Sequence, residues 1–380
     1  MKCYEIGTGY TSIPPKISAA TETVVYELSC SLQKLGVDVT ILDMEDPQRK
    51  DCEVPIEEVP FPTWLRNSDI RLGLLHKVRR VLYSLSLTQK LQTILKNSKE
   101  QVILHFHNQY NQFFFQVLTP HKLRQKAKIV YTNHNGHWSR EWTEAEALLR
   151  RNYFQEIACM KSADMVFVLN QKMEENLLQN LQLPKERVCR IGNGVNTAVY
   201  RPLSHEEKAK LRQKWGLEGY RLMLQVGSVN ENKGQRRSLE YLLPQLKADK
   251  KLLFGYAGGI VDESYHRDLL ALAKQKDVAE QLRYFGIIPP GAELNELYNC
   301  AEATLHSSDY EAFSLVWLES MAAAVPLVFC GKSKDLFPIE LELVSSQNSA
   351  QLRQRVQERF SWDAIADQYN KVFEFMEREC

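Results

Sequence analysis

The sequence lacks several features that would assign it to a specialised class. Its eight cysteines include no C-x-x-C pair, and several lie in apolar runs, which is typical of reduced, buried thiols and argues against a disulfide framework or a zinc site. The formal net charge is only +1, so no global excess of positive charge favours nucleic acid as a partner. The most apolar long stretch, 314–331, contains Glu319 and Pro326, so it favours a helix followed by a strand over a membrane span.

The N-terminus shows no secretory signal peptide, because Met1–Glu5 leads directly into a turn-rich segment. We therefore expect a cytoplasmic protein with at most peripheral contact to the inner membrane face. One basic stretch could contact an anionic lipid surface or a charged acceptor, although an ordinary amphipathic surface helix explains its pattern as well. The basic residues of this stretch are Arg66, Arg71, Lys77, Arg79 and Arg80.

Strand-length apolar runs alternate with longer segments of helical period, which predicts an α/β protein with parallel sheets covered by helices. A chain of 380 residues also exceeds one comfortable core. The turn-rich segment 193–202 predicts a boundary, with Rossmann-like domains at 1–195 and 196–360 and a closing helix at 361–380. The predicted strands are 37–42, 102–105, 128–132, 165–169, 222–226, 252–257, 282–285, 303–306 and 327–329.

The run 307–326 carries the strongest functional pattern. A loop containing Glu311 follows a predicted strand, a helix begins near Ser314, and Glu319 lies about two turns inside it. The unpaired backbone N–H groups at the helix start can hold a diphosphate. Carboxylates accept hydrogen bonds from sugar and ribose hydroxyls. Two solvated glutamates on an ordinary helix would explain the spacing alone.

This run resembles the signature of family-four retaining glycosyltransferases (glycosyl transferases group 1), which reads S-x-x-E-G-F-G-L-x-x-L-E-A-M-A-x-G-x-P. Ala312, Ser314 and Ala324 replace the small residues of that signature. The positions that match are Glu311, Phe313, Leu315, Leu318, Glu319, Met321, Ala322 and Pro326. The resemblance implies a GT-B fold, in which two Rossmann-like domains face each other across a cleft and a C-terminal helix crosses back to the first domain.

Other segments follow the order of this family over nearly the whole chain. Segment 191–202 resembles its N-G-V-D…F-x-P crossover, and 226–234 resembles its G-R-x-x-x-x-K-G phosphate loop, with Gly227 and Lys233 at matching positions. The family usually has arginine where this chain has Ser228, so one expected cation is missing, and a neighbouring arginine could replace it. The two candidates for that replacement are Arg236 and Arg237.

The loop 7–22 follows a very short predicted first strand and resembles the family's P-P-x-x-G-G-x-E loop, which faces the donor phosphates. Ala19 and Ala20 belong to the small residues that stand in place of its two glycines. His134 follows a predicted strand and resembles the family's active-site histidine, which implies hydrogen bonding to the donor sugar.

Metal binding is not expected from the sequence. His105 and His107 lie on one face of a predicted strand, but no carboxylate or cysteine has a suitable spacing, so we interpret them as core and cleft-edge residues. The acidic segment 43–46 follows a strand, and a solvated loop explains it without a D-x-D metal motif. Backbone groups, Lys233 and helix dipoles would then balance the diphosphate charge.

The resemblance implies retaining transfer of a sugar from a nucleoside diphosphate sugar, of which UDP is the commonest case, to a hydroxyl acceptor. That acceptor could be a glycan, a lipid-linked molecule or a small molecule. Glu319 would bind the ribose, Lys233 and the backbone of 312–315 the diphosphate, and His134 and Glu311 the sugar. The members of that backbone segment are Ala312, Phe313, Ser314 and Leu315, next to Gly227 and Ser228 in the phosphate loop.

Three alternatives stay open on the sequence alone. A sugar-nucleotide epimerase of the same architecture would bind UDP without an acceptor, and a glycosidic phosphorylase would use inorganic phosphate. A non-catalytic scaffold with a decayed donor site is favoured by Ser228 and the lost glycines. The segment 327–360 is shorter than in the family, so the second domain could also be completed by another subunit in a homo-oligomer.

Overall fold

A computed structural model of the chain describes residues 1–15, 19–49, 51–61, 74–332 and 349–378. The chain divides into two compact units. Unit 1 comprises Met1–Gly194 together with Trp362–Cys380, and unit 2 comprises Val195–Ser361. The C-terminal helix therefore belongs to unit 1, although unit 2 precedes it in the chain.

Unit 1 contains a parallel sheet of seven strands in the order β3-β2-β1-β4-β5-β6-β7. The strands are β1 (Cys3–Ile6), β2 (Val39–Met44), β3 (Ile56–Val59), β4 (Val102–Phe106), β5 (Ala127–Asn133), β6 (Met165–Val168) and β7 (Val188–Arg190). The sequence did not predict β3 and β7. Both are short edge strands, and polar or charged residues interrupt their apolar pattern.

Helices cover the sheet of unit 1. They are α1 (Ala20–Lys34), α2 (Leu74–Asn97), α3 (Gln109–Leu118), α4 (His121–Arg124), α5 (Trp142–Asn152), α6 (Phe154–Ser162), α7 (Gln171–Glu175) and, at the end of the chain, α14 (Trp362–Arg378). Helix α14 buries an apolar stripe that includes Ile365, Tyr369 and Phe373, and it packs against α1. The hydroxyl of Ser31 donates to Asp363 at 2.9 Å across this contact.

Unit 2 contains a parallel sheet of five strands in the order β10-β9-β8-β11-β12. The strands are β8 (Arg221–Val226), β9 (Leu252–Ala257), β10 (Leu282–Tyr284), β11 (Ala303–His306) and β12 (Leu327–Phe329). The helices are α8 (His205–Lys214), α9 (Gln235–Ala248), α10 (Glu263–Gln275), α11 (Ala292–Cys300), α12 (Leu315–Ala322) and α13 (Ser349–Phe360). Leucines on α9 and aromatic residues on β9 share one buried cluster. The prediction of an α/β protein with two Rossmann-like halves is confirmed.

Both sheets reverse their strand order once, between β1 and β4 in unit 1 and between β8 and β11 in unit 2. Loops at the carboxyl ends of such strand pairs diverge to opposite faces and leave a crevice in which ligands bind in open α/β sheets. In each unit, functional side chains are therefore expected at the carboxyl ends of the two strands where the order reverses. Among the described residues, none of the helices combines the length and the apolar character needed to cross a bilayer.

Candidate active site

Two loops of unit 2 meet where the strand order reverses. Segment 227–234 follows β8 and segment 307–314 follows β11, and these two strands are hydrogen-bonded neighbours. The hydroxyl oxygen of Ser307 lies 2.8 Å from the carbonyl oxygens of both Lys233 and Gly234. The side-chain amide of Gln225 donates to the Lys233 carbonyl at 2.6 Å and to Ser307 Oγ at 3.1 Å. Buried hydrogen bonds thus fix the shape of both loops.

Arg237 also helps to fix the conformation of these loops. Its Nε and Nη2 donate to the Ser307 carbonyl at 3.0 and 2.8 Å, and Nη2 lies 3.2 Å from the carboxylate of Asp309. Ser228, at the position where the resembling family has arginine, accepts a hydrogen bond from Asn230 at 2.9 Å. Since its guanidinium holds the two loops together, Arg237 is a poor replacement for the missing cation.

Lys233 and Glu311, which the resemblance assigns to the diphosphate and the sugar of the donor, contact each other. The Lys233 ammonium donates to Glu311 Oε1, and the Ser308 hydroxyl donates to the same oxygen at 2.7 Å. The two side chains keep 24% and 14% of their surface exposed, so a ligand can reach both. Lysine has three donors, so Lys233 can bind a phosphate oxygen while it remains paired with Glu311.

Gly234 begins α9 with a left-handed backbone, at φ +67°. A Cβ atom there would lie 2.5 Å from the Ser307 carbonyl oxygen, so a side chain would push the two loops apart. We expect Gly234→Ala to lower the free energy of unfolding by about 3 kcal/mol, from backbone strain and this clash together.

Urea denaturation of Gly234→Ala and Gly219→Ala measures the effect. Gly219 lies in unit 2 with φ +74°, and a Cβ there would meet nothing within 4 Å, so the control carries the backbone strain alone, about 1 kcal/mol. Equal losses in the two variants would show that the contact between the loops contributes nothing.

The start of α12 offers backbone donors. Ser314 is its N-cap residue, and among the described residues no side chain caps this end of the helix. Its first N–H groups, on the positive end of the helix dipole, are therefore available to an anion. Phe313 is buried, with its ring about equally far from Trp317 and Phe360, 6.1 Å between centroids in each case. Its side chain thus belongs to the core, and only its backbone can serve a ligand.

Glu319 is buried inside α12, with 6% of its surface exposed. The hydroxyl of Tyr298, on α11, donates to Glu319 Oε2 at 2.8 Å, and Tyr200 also hydrogen-bonds this carboxyl. Burial raises the pKa of Glu319 to about 7, against the opposing effect of the two tyrosines. Sequence reasoning missed both tyrosines, because no motif links them to Glu319.

The structure overturns the interpretation of His105 and His107 as residues without a carboxylate partner. Glu5 on β1 is the direct neighbour of His105 on β4 in the parallel register. Its Oε1 lies 2.9 Å from His105 Nδ1, and its Oε2 lies 2.7 Å from His107 Nε2. His107 Nδ1 in turn lies 3.0 Å from Nε2 of His134, the predicted active-site histidine.

The electrostatics of this cluster follow from its burial. Burial alone would raise the pKa of Glu5, but the charge and hydrogen bonds of His105 and His107 outweigh it and lower that pKa to about 2. Burial, with repulsion from His105, lowers the pKa of His107 to about 4. Glu5, His105 and His107 also place one ligand atom each within 4.8 Å of the others, a spacing that a metal ion could bridge. Hydrogen bonds already account for these three side chains.

One signal in the sequence could have identified Glu5. It is the charged residue of a short strand, Cys3–Ile6, whose other residues are apolar or aromatic. An ionised side chain in a fully buried parallel strand needs charged or hydrogen-bonding partners, because its desolvation is otherwise too costly. The histidines on the strand that follows in space are such partners.

The loop that carries His134 is held by Glu156, a residue that sequence reasoning missed. Its buried carboxyl accepts from the indole N–H of Trp138 at 2.6 Å, the side-chain amide of Asn135 at 2.8 Å and the hydroxyl of Tyr131 at 2.8 Å. Burial raises its pKa. Three donors on one carboxyl group fix the conformation of residues 133–138 around His134.

The structure also corrects the interpretation of the acidic segment 43–46. Asp43 is fully buried, not part of a solvated loop, and it accepts from the backbone N–H of Ile13 at 2.7 Å and from Arg49 at 3.0 Å.

Ala19 is the N-cap residue of α1, which begins at Ala20 without a side-chain cap among the described residues. Both alanines therefore lie at a helix N-terminus without a side-chain cap, and residues 16–18 of the predicted loop 7–22 lie outside the described residues.

The basic stretch is drawn partly into the interior. Arg79 is buried and donates to the Tyr10 carbonyl at 3.1 Å. The guanidinium of Arg80 lies 4.1 Å from the centre of the Tyr10 ring. These two side chains pack within unit 1, and Lys77 is exposed. Arg66 and Arg71 lie outside the described residues.

Comparison with known families identifies the family to which this chain belongs. Residues 21–199 match the family described as Glycosyltransferase Family 4, and residues 207–374 match Glycosyl transferases group 1. The chain belongs to the GT4-type glycosyltransferases of the GT-B fold. The predicted family and fold are thus confirmed, and the two matched regions cover most of both units and most of the C-terminal helix.

Individual relatives of this glycosyltransferase are distant. Mannosylfructose-phosphate synthase of Agrobacterium fabrum is 24% identical over 346 residues, which cover 84% of this chain and 74% of the synthase. EpsD of Bacillus subtilis is 26% identical over 250 residues, which cover 64% of this chain and 62% of EpsD. The matched region thus spans less than two thirds of EpsD.

Solved structures share the fold over the whole chain. Anabaena Alr3699/HepE, solved with UDP and glucose, superposes with a TM-score of 0.70 at 15% identity and covers 98% of this chain and 99% of its own. Sucrose-phosphate synthase of Thermosynechococcus elongatus gives a TM-score of 0.71 at 17% identity and full coverage of both chains. At this identity the likeness shows the GT-B fold alone.

Proposed function

We propose that this protein transfers a sugar from a UDP-sugar to a hydroxyl acceptor with retention of the anomeric configuration. The observation that supports it most is the group formed by Lys233, Glu311 and the uncapped start of α12 at the strand reversal of unit 2. An ammonium beside the N-terminus of a helix suits a diphosphate, and an adjacent carboxylate suits sugar hydroxyls.

The main catalytic contribution in this proposal is stabilisation of the leaving group. As the bond to the anomeric carbon breaks, negative charge grows on the departing diphosphate, and preorganised donors stabilise that charge more than the ground state. Lys233 and the backbone of 312–315 supply these donors without an obligatory metal ion. With no enzyme nucleophile assigned, the acceptor attacks from the face that the diphosphate leaves, and a phosphate oxygen takes its proton.

UDP is the proposed nucleotide because Alr3699/HepE, which shares the fold, has been solved with UDP, with UDP and glucose, and with UDP-glucose. The acceptor is proposed only as a class, a hydroxyl on a sugar, a lipid-linked molecule or a small molecule. Glu319 is assigned to the ribose, and His134 to a sugar hydroxyl.

A thermal-shift series with UDP, GDP, ADP, TDP and CMP tests this proposal. We expect UDP to give the largest rise in Tm, because a ligand that binds only the folded state stabilises it by mass action. His134→Ala should keep the UDP shift and lose transfer activity, since UDP lacks the transferred sugar to which His134 is assigned. If none of the nucleotides raises Tm, the proposed donor site is wrong and the result favours a scaffold with a decayed donor site. If another base gives the largest shift, UDP is wrong.

A further inference from the structure

A chain of hydrogen bonds links a buried carboxylate to the predicted active-site histidine. We call Glu5, His107 and His134 the relay. Glu5 is fully buried, His107 is nearly so, and His134 is partly exposed. The rings of His107 and His134 stack with their centroids 5.3 Å apart. The relay thus runs from the interior of the sheet of unit 1 to its surface.

The position of each hydrogen in the relay follows from the groups that accept it. An ionised carboxylate can only accept, so the hydrogen between Glu5 and His107 lies on His107 Nε2. His107 is neutral near pH 7, because burial and the neighbouring His105 lower its pKa to about 4. Its Nδ1 is therefore bare, and the contact of 3.0 Å to His134 requires the hydrogen on His134 Nε2.

The second ring nitrogen of His134 is fixed by the same reasoning. Burial and repulsion from His107 and His105 lower the pKa of His134 well below its usual value, so the ring is neutral. With the hydrogen on Nε2, Nδ1 carries a lone pair. Among the described residues, no hydrogen bond to this Nδ1 is present. A bare nitrogen at this place accepts a hydrogen bond from a hydroxyl and cannot donate one to a phosphate or carboxylate oxygen.

We propose that Glu5 and His107 are positioning residues that lock His134 as its Nε2–H tautomer, so that Nδ1 accepts a hydrogen bond from a substrate sugar hydroxyl. The ligand in this inference rests on the proposed function, whereas the tautomer does not. The sheet itself sets the arrangement, because Glu5 pairs with His105 in the β1–β4 register and His107 follows two residues later on the same face.

The first test is the tautomer in the ligand-free protein. Long-range 1H–15N spectra of protein labelled with 15N-histidine separate protonated from bare ring nitrogens, and His134→Asn identifies the His134 signals among the nine histidines. After dialysis against a chelator at neutral pH, we expect a protonated Nε2 and a bare Nδ1. A protonated Nδ1, or a metal ion that stays bound in stoichiometric amount, would overturn the inference.

Glu5→Gln tests the role of the carboxylate. A carboxamide must present its NH2 to one imidazole and its oxygen to the other, so a single direction of donation is no longer imposed. We expect mixed or reversed His134 tautomers, a fall in kcat of about tenfold or more, and unchanged affinity for UDP. Thr132→Val is the matched control, because it removes the partner of His105 Nε2 at 2.7 Å and leaves the His107 arm intact. A His134 tautomer that stays the same in Glu5→Gln, or changes as much in Thr132→Val, contradicts the role of Glu5.

The second test identifies the hydroxyl. UDP-glucose should shift the His134 Nδ1 resonance and UDP should not, if the hydroxyl belongs to the donor sugar. A shift with UDP plus free glucose, but not with UDP-glucose, places the hydroxyl on an acceptor sugar. If UDP-glucose raises Tm and neither addition moves Nδ1, the hydroxyl contact is wrong. If UDP-glucose neither binds nor raises Tm, the proposed donor fails while the tautomer measurement still decides the relay.

Discussion

Replacing Lys233 by methionine is expected to lower kcat/KM for a UDP-sugar by about 100- to 1,000-fold, the usual cost of losing one preorganised donor to a developing anion. Methionine keeps most of the length and apolar volume of the side chain and removes only the charge and its three donors. The loss should fall mainly on kcat, because the charge on the diphosphate grows as the leaving group departs. Steady-state kinetics with the donor found by thermal shift measure both constants.

Two variants separate this role from the loss of an ion pair. Lys214 pairs with Glu296 at 2.5 Å on the exposed surface of unit 2, so Lys214→Met removes a comparable lysine–glutamate pair away from the site and should leave kcat/KM unchanged. Lys233→Arg keeps the charge and should retain more activity than Lys233→Met. Activity of Lys233→Met within about threefold of the parent, a loss well below that of one preorganised donor, would remove Lys233 from the mechanism.

The parts of the fold that could be predicted from the sequence are those that produce a local periodic pattern of apolar residues. Strands buried on both faces, such as β6 and β9, are continuous apolar runs in the sequence, because helices cover both sides of a parallel sheet. Edge strands β3 and β7 were not predicted. An edge strand is short and buries less apolar surface, so its apolar pattern in the sequence is weak. The packing of α14 on unit 1 was implied only by the family resemblance, because local periodicity does not describe tertiary contacts.

The candidate site could be predicted where it lies on one continuous segment. Glu311, Ser314 and Glu319 belong to one strand–loop–helix unit, and a motif in the chain describes them. The contacts of Glu5 with His107 and of Glu319 with Tyr298 join segments 102 and 21 residues apart. Sheet register and helix packing create such contacts, and neither can be derived from the spacing of residues along one chain.

Glu319→Gln is expected to weaken the binding of a UDP-sugar at pH 8 by about 100-fold and to abolish its dependence on pH. An ionised carboxylate can accept hydrogen bonds from both ribose hydroxyls, and two such bonds contribute about 3 kcal/mol or more. A carboxamide has a single oxygen and turns its NH2 towards one of these hydroxyls. Tyr298 and Tyr200 remain as donors, so the variant should fold.

The sign of the pH dependence follows from the raised pKa of Glu319, about 7 in the ligand-free protein because of its burial. Below this pH the carboxyl is protonated and accepts less well, so affinity should rise by about tenfold between pH 6 and pH 8. Stability should change in the opposite direction. A carboxyl with a raised pKa in the folded state binds its proton more tightly than in the unfolded chain, so this group destabilises the ligand-free protein as pH rises towards 7.

Calorimetric titration with UDP-glucose at both pH values measures the affinity, because the diphosphate of this donor, esterified at both ends, has no ionisation of its own in that range. Glu22 and Asp43 also have raised pKa values, about 7 and about 6, through burial in unit 1, so the stability effect must be taken as the difference between parent and Glu319→Gln. An affinity that stays constant from pH 6 to pH 8 in the parent, or varies equally in the variant, would show that Glu319 does not bind the ribose. The two opposed trends together would assign it, since a carboxyl that was only structural would change stability with pH and leave nucleotide affinity alone.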